Sequence, residues 1–246
     1  MSPARGRRRR RTPIGSTFLA AGLLVGIGAL AVYGLGRIEL VPLLGGRIPT
    51  VAYDAYRTAA GAAPSVTNSC AVDWTILAGI AQVESRHGRI DGDHDVAADG
   101  DVVPPIRGRA LDGTRGTQTI VDTDGGELDG DADWDRAMGP LQFIPTTWSE
   151  LGRDGNDDGA ADPDNLYDAS LTAVAHLCLR EPGDDSNRGE LRRALIAYNA
   201  SGRYADDVLD WIDRYQGSPL DQVLEQPDAR EAEAQVPGVA LILRRQ

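Results

Sequence analysis

Glu84 is a carboxylate at a position that an apolar residue would ordinarily hold. In the stretch 73–88, Leu77, Ile80 and Ala81 lie seven, four and three positions before it, so at helical period all four share one face. The pattern predicts an amphipathic helix that stops at Gly88. An inward-facing carboxylate is costly to ionise, so its pKa should rise and leave it protonated near neutral pH. That is the state a general acid requires. A core glutamate neutralised by an arginine fits this helix equally well.

Two later segments add neutral hydrogen-bonding groups. Residues 139–148 are an apolar run interrupted by Gln142, with a helix start at Pro145-Thr146-Thr147. Residues 191–199 read as a helix ending in Tyr198-Asn199, with Gly202 just beyond. Amides and phenols at the edges of apolar elements suit sugar hydroxyl and acetamido groups, and aromatic rings suit sugar faces. Ser85 reads as a hydrogen-bonder of its own helix end, since no base accompanies it at a recognisable spacing. His87, near that end, is expected to interact with the helix dipole.

The elements that must position these groups are mostly helical. Helices are expected at 50–63, 73–88, 146–151, 169–180, 188–199 and 203–215. Residues 89–136 are rich in Asp and Gly, and Thr119-Ile120-Val121 before Asp124-Gly125-Gly126 predicts a small hairpin or a long ordered loop. The sum is a mainly α (α+β) domain with an irregular acidic insertion. Trp74 reads as core, and Trp134 as either core or a sugar-stacking ring.

Seven of the 25 basic residues and one of the 37 acidic ones precede residue 41, leaving 18 against 36 in residues 41–246, a net of −18. Such a surface repels nucleic acid, which excludes that class of partner. Arg7 through Arg11 precede an uncharged stretch whose apolar centre, 17–35, would span about 28 Å as a helix. This is close to the thickness of a bilayer core, with the arginines on the cytoplasmic side. A cleaved signal peptide ending near Ala29-Leu30-Ala31 is the competing expectation. Either way the remainder is exported, and Cys70 with Cys178 are expected to form one disulfide, the alternative being two buried thiols.

Asp154, Asn156 and Asp158 place oxygen donors at alternate positions, with Gly159 sixth in the run and the Ala160 carbonyl next. This resembles the opening of an EF-hand calcium loop, although position 12 is Asn165 where the usual loop has Glu. An acidic surface turn is the plainer reading.

Three motifs in fixed order carry a family resemblance: Glu84-Ser85 with Gly88, then Gly139, Gln142, Phe143, Pro145 and Trp148, then Ala197-Tyr198-Asn199. Together they resemble the lytic murein transglycosylases, in particular the membrane-bound type B branch of actinobacteria, over roughly residues 50–215. Pro104-Pro105-Ile106, Leu111-Asp112-Gly113 and the run from Asp122 to Ala137 are similar to that branch as well. The chain departs from it at Asp133, where type B relatives often carry a hydroxyl residue.

The resemblance implies a lysozyme-like fold and a peptidoglycan substrate. Glu84 would be the catalytic acid, and Ser85, Gln142, Tyr198 and Asn199 the substrate-binding set. It also implies a longer calcium loop whose last ligand is Asp168, giving Asp154, Asn156, Asp158, Ala160 and Asp168, with Asp162 acting through water. No organic cofactor is expected. The expected organisation is a cytoplasmic segment at 1–15, an anchor at 16–36, a linker at 37–49, the catalytic domain at 50–216 and a tail at 217–246. Two rivals remain: a lysozyme-type hydrolase using a second acid such as Asp133 or Asp135, and a non-catalytic wall-binding protein.

Overall fold

Helices long enough to bury a face flank a Gly- and Asp-rich stretch with no helical period, and the computed structural model follows that division. It describes residues 46–68, 70–180 and 187–225. Two helices come first, α1 at Thr50–Val66 and α2 at Trp74–Ser85. Four short strands follow. β1 (Asp95–Val96) pairs antiparallel with β2 (Val102–Val103). β3 (Arg107–Ala110) pairs antiparallel with β4 (Arg136–Met138), with a register shift between Arg107 and Ala110. Helices then return as α3 (Pro145–Leu151), α4 (Leu166–Arg180), α5 (Arg188–Tyr198), α6 (Gly202–Gly217) and the short α7 (Leu220–Val223). The mainly helical architecture with small two-stranded sheets is the one the pattern predicts. Thr119-Ile120-Val121 belongs to an ordered loop, bridged at Asp112–Thr119 and at Val121–Trp134.

The one-faced amphipathic helix expected around Glu84 is corrected. Asp73 caps α2 by accepting the Thr75 N–H at 2.9 Å. Beyond that cap every residue from Thr75 to Gln82 is buried, so α2 is a central helix, packed by α1, α4 and α6. Gly79 permits this. A Cβ there would lie 3.0 Å from Ile212 Cγ1 and 3.1 Å from the Val208 carbonyl, so its absence lets α6 approach the helix backbone.

The end of α2 also differs from expectation. The helix closes at Ser85, and Arg86, His87 and Gly88 all take left-handed φ values of 54°, 62° and 85°. His87 swings into the core, 1% exposed, between the Tyr56 and Tyr215 hydroxyls at 3.0 Å each. Burial, with a smaller push from Arg89, lowers its pKa to about 3. A neutral imidazole offers one donor and one acceptor. Tyr215 donates to the Gly46 carbonyl at 3.0 Å, so His87 Nε2–H donates to Tyr215 and Nδ1 accepts from Tyr56. His87 therefore ties α1, α2 and α6 together and is not a cation at a helix dipole.

Cys70 and Cys178 form the expected disulfide, 108 positions apart with Cα atoms 5.6 Å from one another. It joins the segment leading into α2 to α4. Chain beyond residue 216 also packs on the fold. Ile48 pairs in parallel with Leu224, its N–H donating to Val223 O at 2.9 Å and its carbonyl accepting from Glu225 N at 3.0 Å. No helix of the described residues is long and apolar enough to cross a membrane. The anchor expected at 16–36, the segments around it and the tail from 226 lie outside those residues.

Candidate functional site

The three sequence motifs meet at a short turn. β4 runs into Gly139, which takes φ +69°, and a Cβ there would stand 1.7 Å from the Pro163 carbonyl oxygen. Only glycine fits. The turn ends at Gln142, itself left-handed at φ +53°, and closes by a bridge between Met138 and Phe143. Three side chains hold it. Ser85 Oγ donates to Pro140 O at 2.6 Å, Tyr198 Oη donates to Leu141 O at 3.0 Å, and Gln142 Nε2 donates to Gly139 O at 2.8 Å. The ends of α2 and α5 are thus pinned to the same four residues.

This assignment corrects two roles. Ser85 is 1% exposed, and its hydroxyl also accepts the Gly88 N–H at 2.8 Å. With no surface left for a ligand, it positions the turn instead of binding substrate. Tyr198 spends its proton on Leu141 O, so what it can offer a ligand is an oxygen lone pair and a ring face. Gln142 is partly exposed beside Gly108, and Asn199 is exposed past the end of α5.

Glu84 lies at the last turn of α2, partly exposed as a residue. Burial of its carboxyl pushes its pKa from the ordinary 4.5 up to about 7, against a smaller downward pull from Tyr204. Near neutrality the group holds a proton for a useful share of the time. No other carboxylate of the described residues contributes to that shift. Tyr204, in the first turn of α6, has its hydroxyl buried with no partner within hydrogen-bond geometry. Its ring stacks parallel to Tyr198, with centroids 6.4 Å apart and planes 3° apart. Burial and then the charge of Glu84 raise both phenols well above 10, so they remain neutral. Sequence reasoning missed Tyr204, because a tyrosine in phase with Ala205, Val208 and Ile212 is indistinguishable from core packing.

Neither candidate second acid perturbs Glu84. Asp133 is exposed. Asp135 is fully buried and accepts the Thr123 N–H at 2.9 Å and its hydroxyl at 2.9–3.0 Å. Its pKa is raised by burial first, with Asp129 and Asp124 adding to the rise. Asp135 forms a cluster with Asp122 and Asp124, whose carboxylate oxygens lie within 4.8 Å of one another. The cluster is not the one the sequence singled out. Its turn carboxylates are taken up by backbone N–H groups, such as Gly125 to Asp122 at 3.0 Å and Leu128 to Asp124 at 2.7 Å.

The loop after α3 closes around Asp168, which is fully buried in the first turn of α4. Its carboxylate accepts N–H groups from Gly155 at 2.7 Å, Asn156 at 3.3 Å and Asp162 at 2.8 Å. Asp154 accepts from Gly159 at 2.8 Å, Asp158 accepts from Ala160 at 2.9 Å, and the Asn156 amide donates to Asp158 at 2.9 Å. The Asp162 side chain turns to the Asp164 N–H at 2.8 Å. Burial raises the Asp168 pKa, and the charge of Asp154 adds to it. Among the described residues no arginine pairs with Asp154, Asp158 or Asp168. The donor set is all oxygen, the type a hard cation takes, but its carboxylates are occupied by backbone N–H groups. Among the described residues the acidic oxygens that converge within 4.8 Å are those of Asp122, Asp124 and Asp135.

No protein-family model matches the chain, and no curated protein matches it. Two solved structures of the Escherichia coli lytic transglycosylase Slt35 are similar to it. The complex with bulgecin A has a TM-score of 0.42 at 15% identity, covering 74% of this chain and 76% of that one. The complex with calcium has a TM-score of 0.44 at 16% identity, covering 74% of this chain and 77% of that one.

Proposed function

We propose that the chain is a lytic transglycosylase of peptidoglycan, of the membrane-bound type B kind, in which one carboxylate performs both proton transfers. The observation that carries this reading is the isolation of Glu84. Its carboxyl is held near pKa 7 by burial, with neutral phenols beside it and no second carboxylate acting on it. Two-carboxylate glycosidases hold their acids roughly 5–9.5 Å apart, a separation at which each would perturb the other in a partly buried site.

In this reading protonated Glu84 gives its proton to the glycosidic oxygen as that oxygen leaves C1 of N-acetylmuramic acid. The resulting carboxylate then takes the proton of the same sugar's C6 hydroxyl, whose oxygen bonds to C1 and closes a 1,6-anhydro ring. Atoms balance without water, and Glu84 ends protonated. The substrate acetamido group stabilises the cationic centre between the two steps. Gln142 and Asn199 supply amides, and the paired Tyr198 and Tyr204 rings form a neutral wall beside Glu84, whose burial keeps it protonated against the smaller opposing pull of Tyr204.

The exported location rests on the arginine block and apolar stretch before residue 37, and the Cys70–Cys178 disulfide suits an oxidising compartment. Asp154, Asn156, Asp158, the Ala160 carbonyl and Asp168 would hold a calcium ion, with Asp162 through water. Its charge would neutralise the loop between α3 and α4 and take no part in the chemistry. Purified peptidoglycan incubated with wild-type protein should release soluble fragments, and Glu84→Gln should release almost none while keeping its circular dichroism. Release that survives in the variant contradicts the proposal.

A further inference from the structure

The β3–β4 ribbon and the turn that follows β3 enclose a cavity of about 300 Å³, lined by Arg109, Arg115, Arg136, Asp112, Thr114 and Thr117. Its basic lining runs against the strongly acidic chain around it. Arg136 is fixed, bonding Asp131 at 2.7 and 2.8 Å and the Gly108 carbonyl at 3.1 Å. Arg109 and Arg115 have no carboxylate partner among the described residues. Arg115 takes φ +50°, the left-handed region that favours glycine. The turn holds it there: Asp112 accepts the Thr114 N–H at 2.8 Å and its hydroxyl at 2.7 Å, and Thr117 N–H donates to Thr114 O at 2.9 Å. Those Thr114 bonds keep the Asp112 carboxyl below the usual range, so it is ionised.

Arg136 is neutralised by its partner Asp131, which is not part of the lining, and Asp112 offsets one of Arg109 and Arg115, leaving a surplus of one positive charge. A monoanion neutralises that surplus, whereas a dianion leaves charge uncompensated. Planar guanidinium forks suit a planar carboxylate. The position along the chain adds a second constraint. β4 leads from Arg136 directly into the Gly139–Gln142 turn, and Gly108, next to Arg109, backs onto Gln142 Oε1. A polymer lying on that turn meets the cavity next along the ribbon. Its side branches are peptides bearing carboxylates, and the acidic surface would otherwise repel them.

We propose that this cavity binds a peptide carboxylate of the glycan substrate, with Arg109 and Arg115 clasping it and Arg136 as the fixed third donor. The identity of the ligand rests on the peptidoglycan reading; the anion site itself does not. The test uses the full chain carrying Glu84→Gln, so that nothing is cleaved, and calorimetric titration. The probes are a glycan fragment bearing a peptide with free carboxylates, the same fragment with those carboxylates amidated, the peptide-free fragment, the free peptide alone, and inorganic phosphate.

The free-carboxylate fragment should bind on the order of tenfold tighter than the amidated one. Adding Arg109→Gln with Arg115→Gln should abolish the difference and leave the peptide-free fragment unaffected, which also reports that the variant is folded. Equal binding of acid and amide overturns the proposal, as does a difference that survives the double substitution. Phosphate binding that outcompetes the peptide carboxylate also overturns it, in favour of a phosphate site. If no sugar-containing fragment binds, the glycan reading fails by itself. Arginine-dependent binding of the free peptide then upholds the cavity assignment, and its absence overturns that too.

Discussion

Glu84 couples its charge state to folding and, in the proposed reaction, to chemistry as well. Its pKa in the folded chain, about 7, exceeds its ordinary 4.5. Below pH 4.5 both states are protonated and the group costs nothing. As pH rises from 4.5 to about 7 the unfolded chain ionises first, so stability falls, and the deficit is complete above 7. Glu84→Gln should therefore match the wild type in melting temperature at pH 4 and exceed it at pH 8; a constant offset across that range would remove the raised pKa. The cleavage rate of the wild type should decline above about pH 7 for the same reason, and Glu84→Gln should lose at least 10²–10⁴-fold in initial rate. Asp133→Asn and Asp135→Asn should retain much of the activity in the same assay, because an intramolecular ring closure needs no activated water. Helical spacing made Glu84 legible from sequence. The Ser85–Pro140 and Tyr198–Leu141 bonds were not, since side chains 55 and 57 positions from their acceptors leave no local signal.

At the scale of elements, the helices were readable from their period, while the tie between α1, α2 and α6 was not. His87 sat in a polar-looking helix terminus, and only its left-handed backbone turns it inward. Its pKa of about 3 lies below the ordinary 6.5. The stability that depends on neutral His87 is thus complete above pH 6.5 and is lost as pH falls toward 3. His87→Phe should cost about 2 kcal/mol near pH 7, since it strands the Tyr56 hydroxyl and removes the bond to Tyr215, which keeps its bond to the Gly46 carbonyl. That cost should shrink as denaturant melts are repeated from pH 6.5 down to 4, and a cost independent of pH would refute the neutral-histidine bridge. Replacing Cys70 and Cys178 together by Ser should lower stability by up to about 4.7 kcal/mol, the chain-entropy value for a loop of roughly 100 residues. Denaturant titration of both proteins measures it.

For the whole molecule, charge is the organising quantity. The acidic surplus was plain in composition, but which acids gather was not: among the described residues the carboxylates that converge are Asp122, Asp124 and Asp135, while the loop singled out by its spacing folds around Asp168. Spacing along a chain gives ligand order, and only the fold gives convergence. If calcium fills the Asp168 loop, millimolar calcium should raise the melting temperature of chelated protein, and Asp158→Ala should remove most of the rise; an unchanged melting curve would count against that site. The central claim, one carboxylate and no water, is written in the product. Mass spectrometry of sugar ends released from peptidoglycan should find 1,6-anhydro-N-acetylmuramic acid, lighter by one water than a reducing end. Reducing ends that incorporate solvent oxygen would contradict the account and transfer the chain to the hydrolases.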